Sequence, residues 1–394
     1  METSAAFDGL ACGECGAEDP PAAGFGRCSD CGGPLRADYD LDALDASDFD
    51  LGDGPGSLWR FADLLPFRAD DALTMGEGGT PLVECPTLAG ELGVDRVFCK
   101  DEGSNPTGSI ADRGATVALT AAAATDAADV ALASPGNDGH AVAAYAARAG
   151  LAAHVYVPTR AGFVQKAMIN VHGGDMTVVE GRLREAATAC EDTLSDEPDW
   201  LPMAPAATPY RLEGGKTLLY ELVAALGEAP DAIVVPTGTG VGLAALHAAA
   251  TELRALGLIE RGPRLYAAQA AGCAPIARAV EAAAPVEAWD HPDTICADIE
   301  VPEPGAGALA RTAIEETGGG AVATEDDAIL ESAVTMAEHE GLSASPSGGA
   351  AASGAWTLAE RDAFDPTDTV VLVNPAAGSK TADVLRSHLM GQGV

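Results

Sequence analysis

Seven short apolar runs recur between alanine-rich stretches, and this alternation constrains the chain more than any other feature. RVFCK (96–100), DVALAS (129–134), AAHVYVP (152–158), MTVVEG (176–181), DAIVVP (231–236), RLYAAQA (264–270) and TVVLVNP (369–375) read as strands. ATVALTAAAATDA, GHAVAAYAARAG, LREAATACEDTL and EDDAILESAVTMAEHEGL, lying between them, read as helices. Parallel strands need a crossover to join them, and a helix is the usual crossover. The expectation is therefore an α/β fold whose parallel sheets are covered on both faces. At 394 residues the chain has room for two or three domains, each with its own core.

Ligands in such folds sit at the carboxyl ends of strands, where glycine-rich turns enter helices. Three such turns are present: NPTGSIADRG (105–114), SPGNDGH (134–140) and PTGTGVG (236–242). The last follows an apolar strand and opens a helix. Gly238, Gly240 and Gly242, with Thr239 and Val241 between them, allow backbone amides to converge on a phosphate. One glycine-rich turn is equally a plain turn; three on one sheet edge carry more weight.

Four of the nine cysteines stand at Cys12-x2-Cys15 and Cys28-x2-Cys31. Two Cys-x-x-Cys knuckles with adjacent glycines can set four thiolates at the corners of a tetrahedron, which suits a structural zinc ion; a disulfide pair or unused thiols are the alternatives. Cys85, Cys99, Cys190, Cys273 and Cys296 follow no ligand spacing and read as buried thiols. Residues 36–80 are acidic and rich in Gly and Asp, a connector with Trp59, Phe61 and Phe67 as anchors.

Sixty acidic side chains against 22 basic ones give a formal charge of −38. That surface repels nucleic acid and anionic membranes, so neither is expected as a partner. Acid spread along the whole chain suits solubility in concentrated salt, a halophilic pattern. No apolar run has the length of a membrane span, and METSAAFDGLACGEC lacks the regions of a signal peptide; the expected location is cytoplasmic.

The cysteine ribbon, CKDEGSNPTGSIADRG, ASPGNDGHAVAAYAARAG, TPYRLEGGKTLLYELVAALG and VVPTGTGVG, in that order, resemble threonine synthase. The resemblance runs from residue 10 to about residue 390. It implies the tryptophan-synthase-β-like fold: two parallel-sheet domains behind an N-terminal zinc ribbon. The implied division is a ribbon over 1–38, a connector and the start of the large domain over 39–95, a small α/β domain over 96–200, and the rest of the large domain over 201–394. It also implies pyridoxal phosphate (PLP) as cofactor, conversion of O-phosphohomoserine to threonine, and, by analogy, a homodimer. Asn137 matches the residue that bonds the cofactor's ring hydroxyl. Gly238, Thr239, Gly240, Val241 and Gly242 match its phosphate loop. NPAAGSK matches the segment that meets the pyridine nitrogen; Pro375 falls on the partner position, with Asn374 beside it.

Several positions depart from the family. The lysine that should hold PLP as a Schiff base is Ala111, and alanine offers no amine for exchange or proton transfer. Only Lys100, Lys166, Lys216 and Lys380 remain, each at a position where the family commonly has lysine. Pro135 has no N–H to give a substrate carboxylate, Asp138 adds a negative charge there, and Ser345 replaces a glutamate beside the ring. His140 could face the cleft as an acid or base, or be a surface or capping histidine. Three readings stay open: a paralogue without the usual catalysis that binds a small anionic ligand or noncovalent PLP; an active PLP-dependent lyase using noncovalent PLP or a relocated lysine; and a structural or interaction protein with an empty cleft.

Overall fold

The structure, a computed structural model, describes residues 2–44 and 56–391. Residues 45–55 of the expected connector lie outside them. Three short strands come first: β1 (Phe7–Cys12), β2 (Glu18–Asp19) and β3 (Leu35–Tyr39). Then follow β4 (Leu82–Glu84), α1 (Pro86–Leu92), β5 (Arg96–Asp101), α2 (Ala111–Ala123), β6 (Asp129–Ala133), α3 (Asn137–Ala149), β7 (Ala152–Pro158) and α4 (Phe163–Val171). Next are β8 (Asp175–Val179), α5 (Leu183–Asp196), β9 (Leu201–Pro202), α6 (Pro209–Leu226), β10 (Ala232–Pro236), α7 (Val241–Ala255), β11 (Arg264–Ala270) and α8 (Pro275–Glu281). The chain ends with α9 (Gly307–Thr317), β12 (Gly320–Thr324), α10 (Asp326–Glu340), α11 (Pro346–Ala359), β13 (Thr369–Asn374) and α12 (Ala382–Gly391). All seven apolar runs form strands, and helices connect them. No helix among the described residues is long and apolar enough to cross a membrane.

The chain divides into two compact units. The first comprises residues 1–79, 111–224 and 248–260. It holds the small antiparallel sheet β2-β1-β3 and a four-stranded parallel sheet in the order β8-β7-β6-β9. Its core runs from Phe7 and Leu10 through Trp59 and Phe67 to Val155, Ile169 and Tyr210. Trp59, Phe61 and Phe67, expected as anchors, are all buried.

The second unit comprises residues 80–110, 225–247 and 261–394. Its six-stranded sheet has the order β12-β11-β10-β13-β5-β4, parallel except for β4 against β5. Val370 to Val373 of the central strand β13 are at most 1 % exposed. A strand covered on both faces reads as a continuous apolar run, which is why TVVLV is legible in the sequence.

Within the first unit, α2 and α6 meet backbone to backbone. A side chain on Gly214 would collide with the carbonyl of Arg113, and a Cβ on Gly114 would lie 2.7 Å from the carbonyl of Arg211. Glycine at both positions permits this approach. The crossing is clamped by the Arg113 guanidinium, whose Nη1 and Nη2 donate to Glu221 Oε1 and Oε2 at 2.7 and 2.8 Å. Nη1 also donates to Thr217 Oγ1 at 2.9 Å. Both charged side chains are almost fully buried, at 1 % and 3 % exposure. Glu221 Oε1 further accepts the amide of Gly79.

Gly→Ala in an open helix normally stabilises by about 1 kcal/mol. At Gly214 the sign reverses: overpacking against a carbonyl costs about 3 kcal/mol. Urea denaturation of Gly214→Ala is the check, and an unchanged or higher midpoint would contradict the close crossing.

Candidate functional site

The residues singled out from the sequence fall in both units. In the first, Ala111 is the opening residue of α2, 8 % exposed, and Asp112, Arg113 and Gly114 follow in its first turn. The loop 134–138 leads into α3. Ser134 Oγ accepts the amides of Gly136 and Gly139 at 3.0 and 2.9 Å, so two donors that could face an anion are consumed inside the loop.

Asp138 does not stand as a bare charge. Its Oδ1 accepts from Arg211 Nη2, and the Arg211 side chain is 3 % exposed. A Cβ on Gly114 would lie 3.1 Å from Arg211 Nε, so the arginine crosses the helix turn that Ala111 begins. Arg211 thereby links α2, α3 and α6. Sequence reading gave it no role; the signal was Asp138 itself, a carboxylate at a turn that buries its neighbours.

Buried polar atoms here with no hydrogen-bond partner among the described residues include Asn137 Oδ1, Gln165 Oε1 and Arg211 Nη1. Gln165 is 2 % exposed and packs under Gly136. Most buried polar atoms in folded proteins are hydrogen-bonded, so these atoms stand out. His140 is 5 % exposed and stacks on His172 with ring centroids 5.2 Å apart. It is thus packed inside the unit and is not a surface histidine.

A second buried charge group lies in the same unit. Lys216 Nζ meets Glu213 Oε2 at 2.6 Å and Glu252 Oε1 at 2.8 Å, with the Tyr39 ring 4.2 Å away. Tyr39 donates to Glu213 and Tyr220 donates to Glu252. Burial pulls the Lys216 amine down, but Glu213 and Glu252 outweigh it and the net shift is upward. Burial raises the Glu252 carboxyl. Glu213, Gly214, Lys216 and Thr217 of the motif at 213–217 therefore all have structural tasks in helix packing.

In the second unit, the loop after β5 is fastened to the end of β13. Ile110 N donates to the Pro375 carbonyl at 2.8 Å and Ala377 N to the Gly108 carbonyl at 3.0 Å. Lys380 Nζ donates to the Thr107 carbonyl at 2.9 Å, and Lys100 Nζ to the Thr80 carbonyl at 2.7 Å. Glu102, fully buried, accepts from Thr80 Oγ1 and Asn105 Nδ2. The conspicuous NPTGS loop is thus locked by its own hydrogen bonds.

The 236–242 turn opens α7 as expected. The amides of Gly238, Thr239 and Gly240 donate to no group among the described residues; Gly238 and Thr239 are half-buried and Gly240 is buried. Val241 N turns to Thr239 Oγ1 at 3.4 Å, and Gly242 sits in the first turn of the helix. Open amides at the start of a helix suit a phosphate. Asn374 is committed elsewhere: Oδ1 accepts Ser345 N at 3.2 Å, and Nδ2 donates to Asp101 Oδ1 at 2.8 Å. Ser345 caps α11 by accepting Gly348 N.

The sulfurs of Cys12, Cys15, Cys28 and Cys31 lie within 4.8 Å of one another. Cys12 and Cys31 are 3.5 Å apart, Cys15 and Cys28 3.7 Å. Tetrahedral zinc–sulfur bonds place sulfurs about 3.8 Å apart. Gly16 and Gly32, both at φ 73°, close the two knuckles in the same way, donating to the Cys12 and Cys28 carbonyls. Amides of Cys15 and Glu14 lower the Cys12 thiol to about 6. Cys31 accepts the Gly33 amide, yet the Cys15 and Cys12 thiols push it up to about 12. Four cysteine sulfurs at this spacing are compatible with a tetrahedral zinc ion.

Residues 73–376 match the family model described as pyridoxal-phosphate dependent enzyme. The chain is 33 % identical over 367 residues to a threonine synthase of Methanosarcina acetivorans, covering 92 % of this chain and 90 % of the relative. It is 35 % identical over 315 residues to a threonine synthase of Synechocystis sp., covering 79 % of each. Among solved structures, maize serine racemase superposes with a TM-score of 0.67 at 20 % identity, covering 80 % of this chain and 94 % of the other; that likeness is one of fold.

Glu221→Gln keeps the shape of the α2–α6 clamp but removes the carboxylate that accepts from both Arg113 nitrogens. A loss of about 3–5 kcal/mol is expected on equilibrium unfolding. A variant as stable as the parent would show that the ion pair does not hold the crossing.

Proposed function

From membership of the pyridoxal-phosphate-dependent enzyme family, to which this chain belongs, we propose a threonine-synthase-like protein that binds a phosphate-bearing anion of the PLP type without covalent attachment. In this reading it does not convert O-phosphohomoserine to threonine. Position 111 carries the proposal: its side chain is a methyl group. Each lysine of the chain is engaged: Lys100 and Lys380 on backbone carbonyls, Lys216 between two glutamates, and Lys166 on the Thr159 carbonyl.

PLP, where it is covalently held, acts as an electron sink for charge developing next to an amino group. In this chain the amides of Gly238, Thr239 and Gly240, with Val241 and Gly242 opening α7, would hold the phosphate. Asn137, which the resemblance assigns to the cofactor's ring hydroxyl, has its Oδ1 buried with no hydrogen-bond partner inside the first unit. The ring-nitrogen position is less well served. Pro375 has no side-chain hydrogen bond to offer, and both polar atoms of Asn374 already have protein partners. The internal bonds of Ser134 and the Arg211–Asp138 pair likewise weigh against an amino-acid carboxylate at the 134–138 loop. The residues thus favour the phosphate half of the cofactor over its reactive half.

We further propose that Cys12, Cys15, Cys28 and Cys31 hold a structural zinc, since all four positions around the ion would be protein sulfur. Chelation should release one zinc per chain, read by elemental analysis, and lower the melting temperature. Unchanged melting in a metal-free sample would exclude a structural metal.

The main test is titration with PLP in concentrated salt, followed by borohydride reduction and peptide mapping. Saturable spectral change without a covalent adduct is expected, and Ala111→Lys should acquire an adduct at position 111 alone. An adduct on Lys100 or Lys380 in the unaltered chain would overturn this reading in favour of an active lyase. Failure to bind either PLP or inorganic phosphate would leave a structural or interaction protein.

A further inference from the structure

A turn that holds phosphate through backbone amides works only if those amides point the right way. In the turn after β10, two tethered carbonyls settle the direction. Thr237 O accepts from Gln269 Nε2 at 2.9 Å, and Thr239 O accepts from Ala306 N at 3.0 Å. The carbonyl of one residue and the N–H of the next share a plane and, in a trans peptide, point in opposite directions. Anchoring Thr237 O therefore turns the Gly238 N–H away from Gln269. Anchoring Thr239 O turns the Gly240 N–H away from Ala306. These two amides are among those that donate to no group of the described residues.

Gln269 is fully buried near the end of β11. Its Oε1 accepts the amides of Ile276 and Ala277, in the first turn of α8, at 3.0 and 2.9 Å. One carboxamide thus accepts twice and donates once, and only one orientation of its oxygen and nitrogen satisfies all three bonds. Capping α8 does not need a donor, since a carboxylate accepts from helix-start amides at least as well. The Thr237 carbonyl does need one. A glutamate at 269 would set a lone pair against it.

The rest of Thr237 is held as firmly. Its N donates to the Ala268 carbonyl at 2.8 Å and its Oγ1 to the Val235 carbonyl at 2.7 Å. Packing backs the two glycines as well. A Cβ on Gly238 would lie 2.9 Å from Val301 Cγ2, and one on Gly240, at φ 86°, 2.7 Å from the Ala306 carbonyl oxygen. The turn is therefore fixed from β11, from α8 and from the segment that leads into α9.

We propose that Gln269 is a positioning residue for phosphate, acting through the Thr237–Gly238 peptide to keep the Gly238 N–H ready for a phosphate oxygen. This rests on the phosphate reading of the turn given above. Amides already in place lose little freedom when the anion arrives, which favours binding. Without the Gln269 donor the peptide is free to rotate, and a carbonyl turned to that side repels phosphate.

Titration of the parent, Gln269→Glu and Gln269→Met with PLP in concentrated salt tests this, with amide hydrogen exchange of the parent recorded with and without PLP. Both variants are expected to bind about tenfold more weakly, and PLP to slow exchange at Gly238 and Gly240 of the parent. Gln269→Glu keeps the acceptor for α8; Gln269→Met removes the tether without adding charge beside the phosphate. If Gln269 only caps α8, Gln269→Glu binds like the parent, and that result overturns the proposal. Weak binding by Gln269→Glu alone also overturns it, because the loss is then charge repulsion. The exchange measurement decides the matter even where a variant does not fold. PLP that binds the parent without slowing Gly238 overturns this inference alone, whereas a parent that binds no PLP overturns the phosphate reading and this inference with it.

Discussion

The backbone contact between α2 and α6 sets the position of every group around the start of α2. Two glycines let the helices approach to the distance at which the Arg113 guanidinium reaches Glu221 with both nitrogens. Buried ions are expensive to desolvate, and a bidentate pair with a further hydroxyl contact offsets that cost only when the geometry is fixed. The crossing provides the fixed geometry. It also brings Arg211 across the first turn of α2, where it meets Asp138 of α3.

This accounts for the persistence of a distinctive loop around an alanine. The Asn-Pro-Thr-Gly-Ser segment is tied to the end of β13 by backbone and lysine bonds, while Asp-Arg-Gly begins a helix clamped to α6. Replacing the side chain at 111 disturbs none of those bonds. Scaffold and reactive group are separable here because the scaffold's hydrogen bonds lie on either side of the reactive position.

Much of the architecture was legible. β7 and β11 matched their expected spans residue for residue, because AAHVYVP and RLYAAQA are apolar runs bounded by turn residues. The strand GAVAT of β12 was missed: it is short and small, and it becomes a strand through its pairing with β11. The helix α6 was quoted as a motif and not as a helix, since its apolar residues surround it almost completely and give little periodicity. The knuckle cysteines were legible because ligand spacing is local. Arg211 and Glu221 were not, as their partners lie 73 and 108 residues away.

The sequence by itself determined the alternating α/β class, the cysteine cluster and the alanine at position 111. These are properties of local pattern and composition, and folding cannot alter them. Tertiary structure decided which charges are compensated, which amides stay open and which apolar residues remain outside. Asp138 looks like a bare negative charge until Arg211 is placed beside it. Asn374 looks available until Ser345 and Asp101 take its two polar atoms. Burial and hydrogen-bond satisfaction depend on residues brought together from distant parts of the chain, so only the folded molecule reveals them.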